Sequence, residues 1–206
     1  MKEGAVKLHR FGPQAASIPG GSFTADGRVV SRIAPRDDLE SVILVDAENN
    51  VVGSCGKLAA HREGKLHRAF SILITNPDGE LLLQRRAAQK YHFASRWSNA
   101  CCGHPRPGES TPAAAHRRLR EEFGFTVPLT QVAELSYYAE DEVSGLIEHE
   151  YLHVFHGLYA GEPSPNPHEI GAYRWMLSDR VRRGLATRPG WFTPWFPLLA
   201  VMPAVD

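Results

Sequence analysis

The chain has 206 residues, of which 43% are hydrophobic and 22% charged, as is usual for one globular domain with its own core. Its 23 Lys and Arg residues balance its 23 Asp and Glu residues, so the formal net charge is zero. This balance argues against a nucleic-acid partner or a membrane surface, both of which require a basic excess, but a local cluster could still bind a small anion.

The three cysteines favour a reducing compartment, because two of them, Cys101 and Cys102, are adjacent and make a poor disulfide framework. The first residues contain no apolar stretch typical of a secretory signal, and no apolar run is long enough to span a bilayer. We therefore expect a cytoplasmic protein with no membrane partner and no obligate protein partner.

Residues 1–40 are rich in Gly, Pro, Ser and charge and show no sustained period. We expect them to form a loosely ordered extension ahead of a single domain that spans residues 41–206. An alternative is that part of this extension pairs with the sheet of the domain.

The predicted elements of the domain begin with a strand from Ser41 that turns back into Val51. The runs 69–75 and 81–85, joined by the turn 76–79, predict a hairpin. Residues 111–123 predict a helix, with Ser110 or Thr111 as its cap and Gly124 after its end. Strands are predicted at 132–138, 150–158 and 173–177, followed by a short helix from Ser178. The sum is a mixed α/β sandwich with a mixed sheet.

A glycine-punctuated loop, residues 103–109, feeds the predicted helix. On that helix Arg118 and Glu122 are four residues apart and share a face, with Glu121 beside them. Mg²⁺ prefers one or two carboxylates together with phosphate oxygens, so this segment could hold Mg²⁺ against a phosphate chain. A solvated charged face of an amphipathic helix is the alternative.

Three histidines and two glutamates outside this helix form a second candidate set, namely His61, His67, His104, Glu148 and Glu150. The two glutamates are two residues apart, so on a strand they point to the same face. Imidazoles and carboxylates are common ligands of borderline divalent ions, although any one histidine is more often a surface or core residue. The metal-site hypothesis therefore depends on the whole set.

The loop and helix resemble the box of the Nudix family, which runs Gly, five residues, Glu, seven residues, Arg-Glu, apolar, any, Glu-Glu, any, Gly, apolar. The matching residues are Gly103, Glu109, Arg117, Leu119, Glu121, Glu122, Gly124 and Phe125. One position departs, because Arg118 stands where the box has a glutamate. In the hydrolases of the family that glutamate helps to hold the metal cluster, so the departure argues against diphosphate hydrolysis.

Further motifs resemble type I isopentenyl diphosphate isomerases, a Nudix branch that moves a double bond instead of hydrolysing. The resemblance covers about 39–197 and rests on Lys57-Leu-Ala-Ala-His61, Leu66-His67-Arg-Ala-Phe70, Gln84-Arg-Arg86, Trp97-Ser-Asn-Ala-Cys-Cys-Gly-His-Pro105, Glu148-His-Glu150 and Pro194-Trp195. It implies a Nudix-type α/β/α sandwich that interconverts isopentenyl and dimethylallyl diphosphate in isoprenoid biosynthesis.

The resemblance also implies a role for each matching residue. A Zn²⁺ or Mn²⁺ ion would be bound by His61, His67, His104, Glu148 and Glu150. A Mg²⁺ ion would be bound by Glu122 and the backbone carbonyl of Cys102. Protons would be handled by Cys102 and Glu148, with Tyr138 close to that glutamate. The diphosphate would contact Lys57, Arg86, Lys90 and Arg118, and Trp195 would face the hydrocarbon end.

These residue types suit a double-bond shift, which adds a proton to one carbon and removes a proton from another. A thiol has a reference pKa of about 8.5, so Cys102 can carry a proton near neutral pH. Between the two transfers the substrate resembles a tertiary carbocation, and an indole face is the best side-chain partner for a cation.

Several single residues have structural alternatives. Cys102 could be an inert core residue, the role assigned here to Cys101. Trp195 could simply pack the C-terminal segment, in which Trp191 is a second aromatic candidate. Arg86 is preferred to Arg85 by position alone, and strand alternation could reverse that choice.

Two rival functions remain open at this point. One is a Nudix hydrolase of nucleoside diphosphate derivatives, in which Glu121 and Glu122 are essential and Cys102 is dispensable. The other is a module that binds metal or diphosphate without turnover.

Overall fold

A computed structural model of the chain describes residues 6–7 and 40–202. Its strands are β1 Val6–Lys7, β2 Ser41–Val45, β3 Val51–Gly56, β4 His67–Thr75, β5 Glu80–Arg86, β6 Trp97–Ser98, β7 Cys101–Gly103, β8 Thr130–Glu140, β9 Ile147–Leu158 and β10 Ile170–Leu177. Its α-helices are α1 Lys57–Glu63, α2 Thr111–Phe123, α3 Ser178–Thr187 and α4 Phe196–Ala200. The helix at 111–123 and the strands from Ser41, at 132–138, 150–158 and 173–177 are confirmed, whereas α1 was not predicted.

The centre of the sheet is the parallel pair β4 and β9, which runs in register from His67 opposite Glu150 to Thr75 opposite Leu158. Strand β8 pairs antiparallel with β9 on the outer side. On its other side β4 pairs antiparallel with three strands, with β2 at residue 67, with β7 at residues 70–72 and with β5 at residue 75. The predicted hairpin of β4 and β5 therefore pairs only at Thr75 and Leu81. The sheet is mixed, as expected.

Strand alternation gives the sheet two buried faces. Phe70 and Ile72 of β4 point to the face covered by α2, where they pack with Leu119 and Phe123. The alternate residues of β4 and β9 point to the opposite face, which is covered by α3 and α4 and includes Ala69, Leu73, Leu152, Val154, Trp195 and Phe196. Helices on both faces make the α/β/α sandwich that the sequence predicted.

Helix α2 begins and ends as the sequence indicated. The Ser110 side chain accepts a hydrogen bond from the Ala113 N–H at 3.4 Å, and a proline lies in the first turn. The helix ends at Gly124, whose φ of 75° is left-handed and whose N–H donates to the Arg120 carbonyl. This fixed end sets the direction in which the chain leaves the helix.

In the N-terminal part of the chain, Val6–Lys7 pairs parallel with Tyr137 and Tyr138 of β8. This pairing agrees with the alternative given above, that part of residues 1–40 pairs with the sheet of the domain. The prediction that residues 1–40 are loosely ordered otherwise lies outside the described residues. Among residues 6–7 and 40–202, no helix combines the length and apolarity that crossing a membrane requires.

We predict that Gly124→Ala lowers the free energy of unfolding by about 1–2 kcal/mol, because a left-handed residue with a Cβ is strained. The added Cβ would also lie 3.0 Å from the Ser164 carbonyl oxygen. Urea unfolding monitored by circular dichroism measures the change. Gly190→Ala is the matched control, since its Cβ would meet nothing within 4 Å. Equal midpoints for the two variants would contradict the strain argument.

Candidate active site

Three histidines converge on the sheet face covered by α3 and α4. His61 lies on α1, His67 begins β4 and His104 follows β7, and the first two are fully buried. The Nδ1 atom of His61 lies 2.7 Å from the Lys57 carbonyl, and that of His67 lies 2.8 Å from the Lys65 carbonyl. Because a carbonyl only accepts, both Nδ1 atoms donate, which leaves the Nε2 lone pairs of neutral rings directed into the site.

The two glutamates of β9 reach the same place. Since Glu150 is in register with His67 and Glu148 is two residues earlier, both side chains point to the histidine face. Glu148 Oε2 lies 3.3 Å from His61 Nε2, and Glu150 Oε1 lies 2.9 Å from His104 Nε2 and 3.8 Å from His67 Nε2. The predicted set of five therefore forms one cluster.

This cluster fits a divalent metal ion. One ligand atom each from His61, His67, His104 and Glu148 lies within 4.8 Å of the others. Two of these atoms, His61 Nε2 and Glu148 Oε2, are buried without a hydrogen-bond partner. Unsatisfied buried polar atoms are costly, and coordination of a dication would satisfy both. Glu150 lies beside this group of four.

The pKa shifts of two of the three histidines agree with a ligand role as neutral rings; at His61 burial lowers the pKa, but the charge of Glu148 raises it above its ordinary value. Burial, followed by the charge of His61, lowers the pKa of His67 to about 4. Burial also lowers the pKa of His104 well below its ordinary value. Burial opposes ionisation of Glu148, but the charges of His61 and His92 hold its pKa well below the usual range. Burial and the charge of Glu148 raise the pKa of Glu150 well above it.

The two adjacent cysteines point to opposite faces because they lie on a strand. Cys101 is fully buried in the core under α2. Cys102 lines the cavity that also contains Glu148, Glu150 and His104. Its thiol donates to Asn99 Oδ1 at 3.3 Å and lies 3.3 Å from Ser71 Oγ. Burial raises the pKa of Cys102 to about 11, so the thiol keeps its proton at neutral pH.

The structure corrects the tyrosine prediction. Tyr138 is 37% exposed and its ring packs against His149, on the face of β8 away from the cavity. Its neighbour Tyr137 is buried, lines the cavity and donates a 2.6 Å hydrogen bond to Glu150 Oε2. The tyrosine beside the carboxyl pair is therefore Tyr137, and it contacts Glu150 instead of Glu148.

The indole of Trp195 lines the same cavity. It is buried, its Nε1 donates to Ser98 Oγ at 3.0 Å, and Phe93 packs edge-on at 5.4 Å. Trp191, the alternative aromatic residue, is 55% exposed and stacks with Arg188. The cavity thus has one apolar aromatic wall.

The cavity is also lined by basic side chains, one of which, Arg86, has its guanidinium carbon 5.7 Å from the centre of the Trp195 ring. The predicted diphosphate contacts Lys57, Arg86, Lys90 and Arg118 all line it, together with Arg106 and Arg117, which were not predicted. Arg85, in contrast, is exposed and donates to the Ser95 carbonyl. Glu169 was also missed; it forms ion pairs with both Lys90 and Arg118. Burial opposes its ionisation, but these two charges lower the pKa of Glu169 to about 2.

Comparisons with known proteins identify the family of this chain. Residues 65–196 match the family model of the NUDIX domain. Isopentenyl-diphosphate Delta-isomerase of Halorhodospira halophila (strain DSM 244 / SL1) is 49% identical over 171 residues, which cover 82% of this chain and 98% of that protein. The chain belongs to the Nudix family. Isopentenyl-diphosphate Delta-isomerase of Nocardia farcinica (strain IFM 10152) is 48% identical over 155 residues, which cover 75% of this chain and 89% of that protein.

Two solved structures are similar in fold to this chain. A structure from Deinococcus radiodurans has a TM-score of 0.66 at 20% identity and covers 78% of this chain and 97% of that chain. The MutT protein from Methanosarcina mazei Go1 has a TM-score of 0.55 at 20% identity and covers 66% of this chain and 90% of that chain. At this identity the likeness establishes the fold, a Nudix α/β/α sandwich.

Ion pairs connect the residues of the Nudix box in this chain. Glu109 accepts from Arg117 at 2.7 and 2.8 Å, which ties the glycine loop to α2. Arg118, the residue that replaces a box glutamate, pairs with Glu121 at 2.9 Å and with Glu122 at 2.6 Å. Glu122 is buried and also accepts from Gln84, at 3.2 Å. Its predicted Mg²⁺ site with the Cys102 carbonyl stays a prediction.

We predict that the purified protein carries one divalent transition metal per chain and that His61→Ala reduces this occupancy to well below one. The variant removes one of four converging donors, and a ligand-bound native state is stabilised by about 2.7 kcal/mol at a metal concentration of 100 Kd. Elemental analysis and metal-dependent thermal shift measure the two effects. The control is His116→Ala, which changes a partly exposed histidine of α2 that contacts Thr126. Full occupancy in His61→Ala would remove this residue from the ligand set.

Proposed function

We propose that this protein is an isopentenyl-diphosphate Delta-isomerase that interconverts isopentenyl and dimethylallyl diphosphate. The observation that carries the proposal is a partly buried thiol, Cys102, in the same cavity as the carboxyls of Glu148 and Glu150; burial raises its pKa to about 11. The family relatives bear the name of this activity. A small allylic or homoallylic diphosphate is then the partner, and the expected cytoplasmic location stays a prediction.

The cavity suits both ends of such a substrate. It offers Lys57, Arg86, Lys90 and Arg118 to the diphosphate, and phosphate favours such charge-assisted contacts. Trp195 lies on the wall of the same cavity, where the five-carbon chain would meet it. We assign the diphosphate to the first group and the hydrocarbon to the indole.

The first proton transfer is assigned to Cys102. The π electrons of the terminal double bond take the thiol proton, which forms a C–H bond at the terminal carbon and leaves a tertiary carbocation. Asn99 and Ser71 hold the sulfur in place through contacts of 3.3 Å. The Trp195 face stabilises the cation by about 2 kcal/mol in a desolvated site. Exclusion of water prevents capture of the cation as an alcohol.

In the second transfer a carboxylate of β9 removes a proton from the neighbouring carbon, and the C–H electrons form the new double bond. The carboxyl is then protonated and Cys102 is a thiolate, and return of one proton to the sulfur restores the starting state. The resemblance implied that Glu148 is the carboxyl that handles protons together with Cys102. We assign this step to Glu150, because Tyr137 donates a 2.6 Å hydrogen bond to its Oε2 and so orients this carboxyl within the cavity.

The metals complete the proposal. We assign Zn²⁺ or Mn²⁺ to His61, His67, His104, Glu148 and Glu150, and Mg²⁺ to Glu122, the Cys102 carbonyl and the diphosphate. A bound dication supplies the positive charge that keeps the buried carboxylates ionised. The rival hydrolase hypothesis is opposed by Arg118, which stands where the Nudix box has a glutamate, so a hydrolytic metal cluster would lack one of its carboxylates.

We predict that the protein, incubated with isopentenyl diphosphate, Mg²⁺ and Zn²⁺ or Mn²⁺, forms dimethylallyl diphosphate, and that Cys102→Ala loses at least about 1,000-fold in kcat because the proton donor is gone. Phosphorus NMR or mass-resolved chromatography follows the product. Cys101→Ala is the matched control, since this thiol faces the core under α2. Phosphate release, with Cys102→Ala fully active, would support the hydrolase instead.

We predict that Tyr137→Phe lowers kcat roughly 10- to 100-fold, because Glu150 loses the hydrogen bond that orients it. Tyr138→Phe, one residue along the same strand, should keep wild-type kcat because its side chain lies outside the cavity. Steady-state kinetics with isopentenyl diphosphate compare the two. The reverse order of effects would restore the tyrosine assignment made from the sequence.

A further inference from the structure

His92 is a buried residue that the sequence did not single out. It lies between β5 and β6 and lines the cavity beside Glu148. Its Nε2 lies 2.5 Å from Glu148 Oε1. Because an ionised carboxyl only accepts, His92 Nε2 carries the hydrogen and donates it.

The two carboxylate oxygens of Glu148 therefore have different surroundings. Oε1 is held by His92, whereas Oε2 is buried without a hydrogen-bond partner and lies 3.3 Å from His61 Nε2. A carboxylate can otherwise rotate about its last bond, which has a broad preference, so one fixed oxygen determines where the other points. Glu150 shows the same division, since Tyr137 holds Oε2 and Oε1 faces His104.

The backbone of His92 is itself fixed from two sides. Arg86, at the end of β5, donates to the His92 carbonyl at 3.2 Å. The N–H of Phe93 donates to Asp141 Oδ2 at 3.1 Å, and Asp141 lies in the turn between β8 and β9 that leads to Glu148. Phe93 has a φ of 45°, which is costly for a bulky residue and persists only where the surroundings impose it. The imidazole therefore reaches Glu148 from a rigid support.

We infer that His92 is a positioning residue that holds one oxygen of Glu148 so that the other faces the three histidines. The expected effect of His92 on kcat rests on the proposed function, whereas its expected effect on metal affinity does not. His92 also contacts Arg86, a predicted diphosphate-binding residue that donates to its carbonyl, so it lies between Arg86 and the Glu148 carboxylate. Removal of a residue that orients a metal ligand commonly lowers metal affinity or activity by about 10- to 100-fold.

The test compares variants that keep or remove the donor. His92→Gln retains an N–H group, whereas His92→Leu and His92→Phe fill the space without one, and thermal unfolding identifies which of these two folds like the wild type. Titration of metal-free protein with Co²⁺, followed by its visible absorption, measures affinity without any activity. We expect the non-donor variants to bind Co²⁺ roughly 10- to 100-fold more weakly and His92→Gln to lie within about threefold of the wild type.

Kinetics supply the second measurement, and kcat for isopentenyl diphosphate should fall in the non-donor variants with KM within about threefold, because the diphosphate contacts remain. Wild-type Co²⁺ affinity in a folded non-donor variant would overturn the inference. Equal weakening in His92→Gln would overturn it too, because the ring would then act through its shape. If the wild type fails to isomerise, the proposed function fails, and the Co²⁺ titration still decides the role of His92.

Discussion

The parallel register of β4 and β9 is the constraint on which the site depends. It places His67 opposite Glu150 and, through strand alternation, puts Glu148 on the same face. The pairing of β7 with β4 sets Cys102 beside Ser71, and the pairing of β8 with β9 sets Tyr137 beside Glu150. A shift of one residue in any of these pairs would send its functional side chain to the opposite face of the sheet. The fold therefore places the chemistry through backbone pairing.

The site concentrates charge where water is largely excluded. Two buried carboxylates two residues apart repel each other, and the low pKa values of His67 and His104 mean that these two rings add donor atoms but no positive charge. Such a group is costly in a fold unless a dication binds it. Elsewhere in the cavity, Glu169 pairs Lys90 with Arg118, which holds the two side chains together while they keep their charge. Glu169 thus compensates the charge of Lys90 and Arg118, and a metal ion would compensate the charge of the two carboxylates.

Particular residues show how far the sequence alone could go. Helix α2 could be predicted to its ends, because its cap, its proline and its terminal glycine are local signals. Cys102 could be preferred to Cys101 only through the resemblance, because the strand that turns the two side chains to opposite faces, β7, was not predicted. Tyr137 and Tyr138 could not be told apart, since which of them meets Glu150 depends on the register of β8 against β9, which contains an irregularity between Gln131 and Ala133.

The same reason explains what the sequence missed. His92 lies in a loop, where no period marks the direction of a side chain, and its partner Glu148 is 56 residues away in the chain. Glu169 and α1 also gave no separate signal, although Lys57 and His61 of α1 belonged to a recognised motif. Distant partners of this kind become visible only when tertiary contacts are known.

Anomalous scattering from crystals grown with Zn²⁺ or Mn²⁺ tests the central claim most directly. The account predicts one strong peak per chain, about 2.0–2.3 Å from Nε2 of His61, His67 and His104 and close to a Glu148 oxygen. A peak bound elsewhere, or none at this cluster in crystals soaked to saturation, would contradict it.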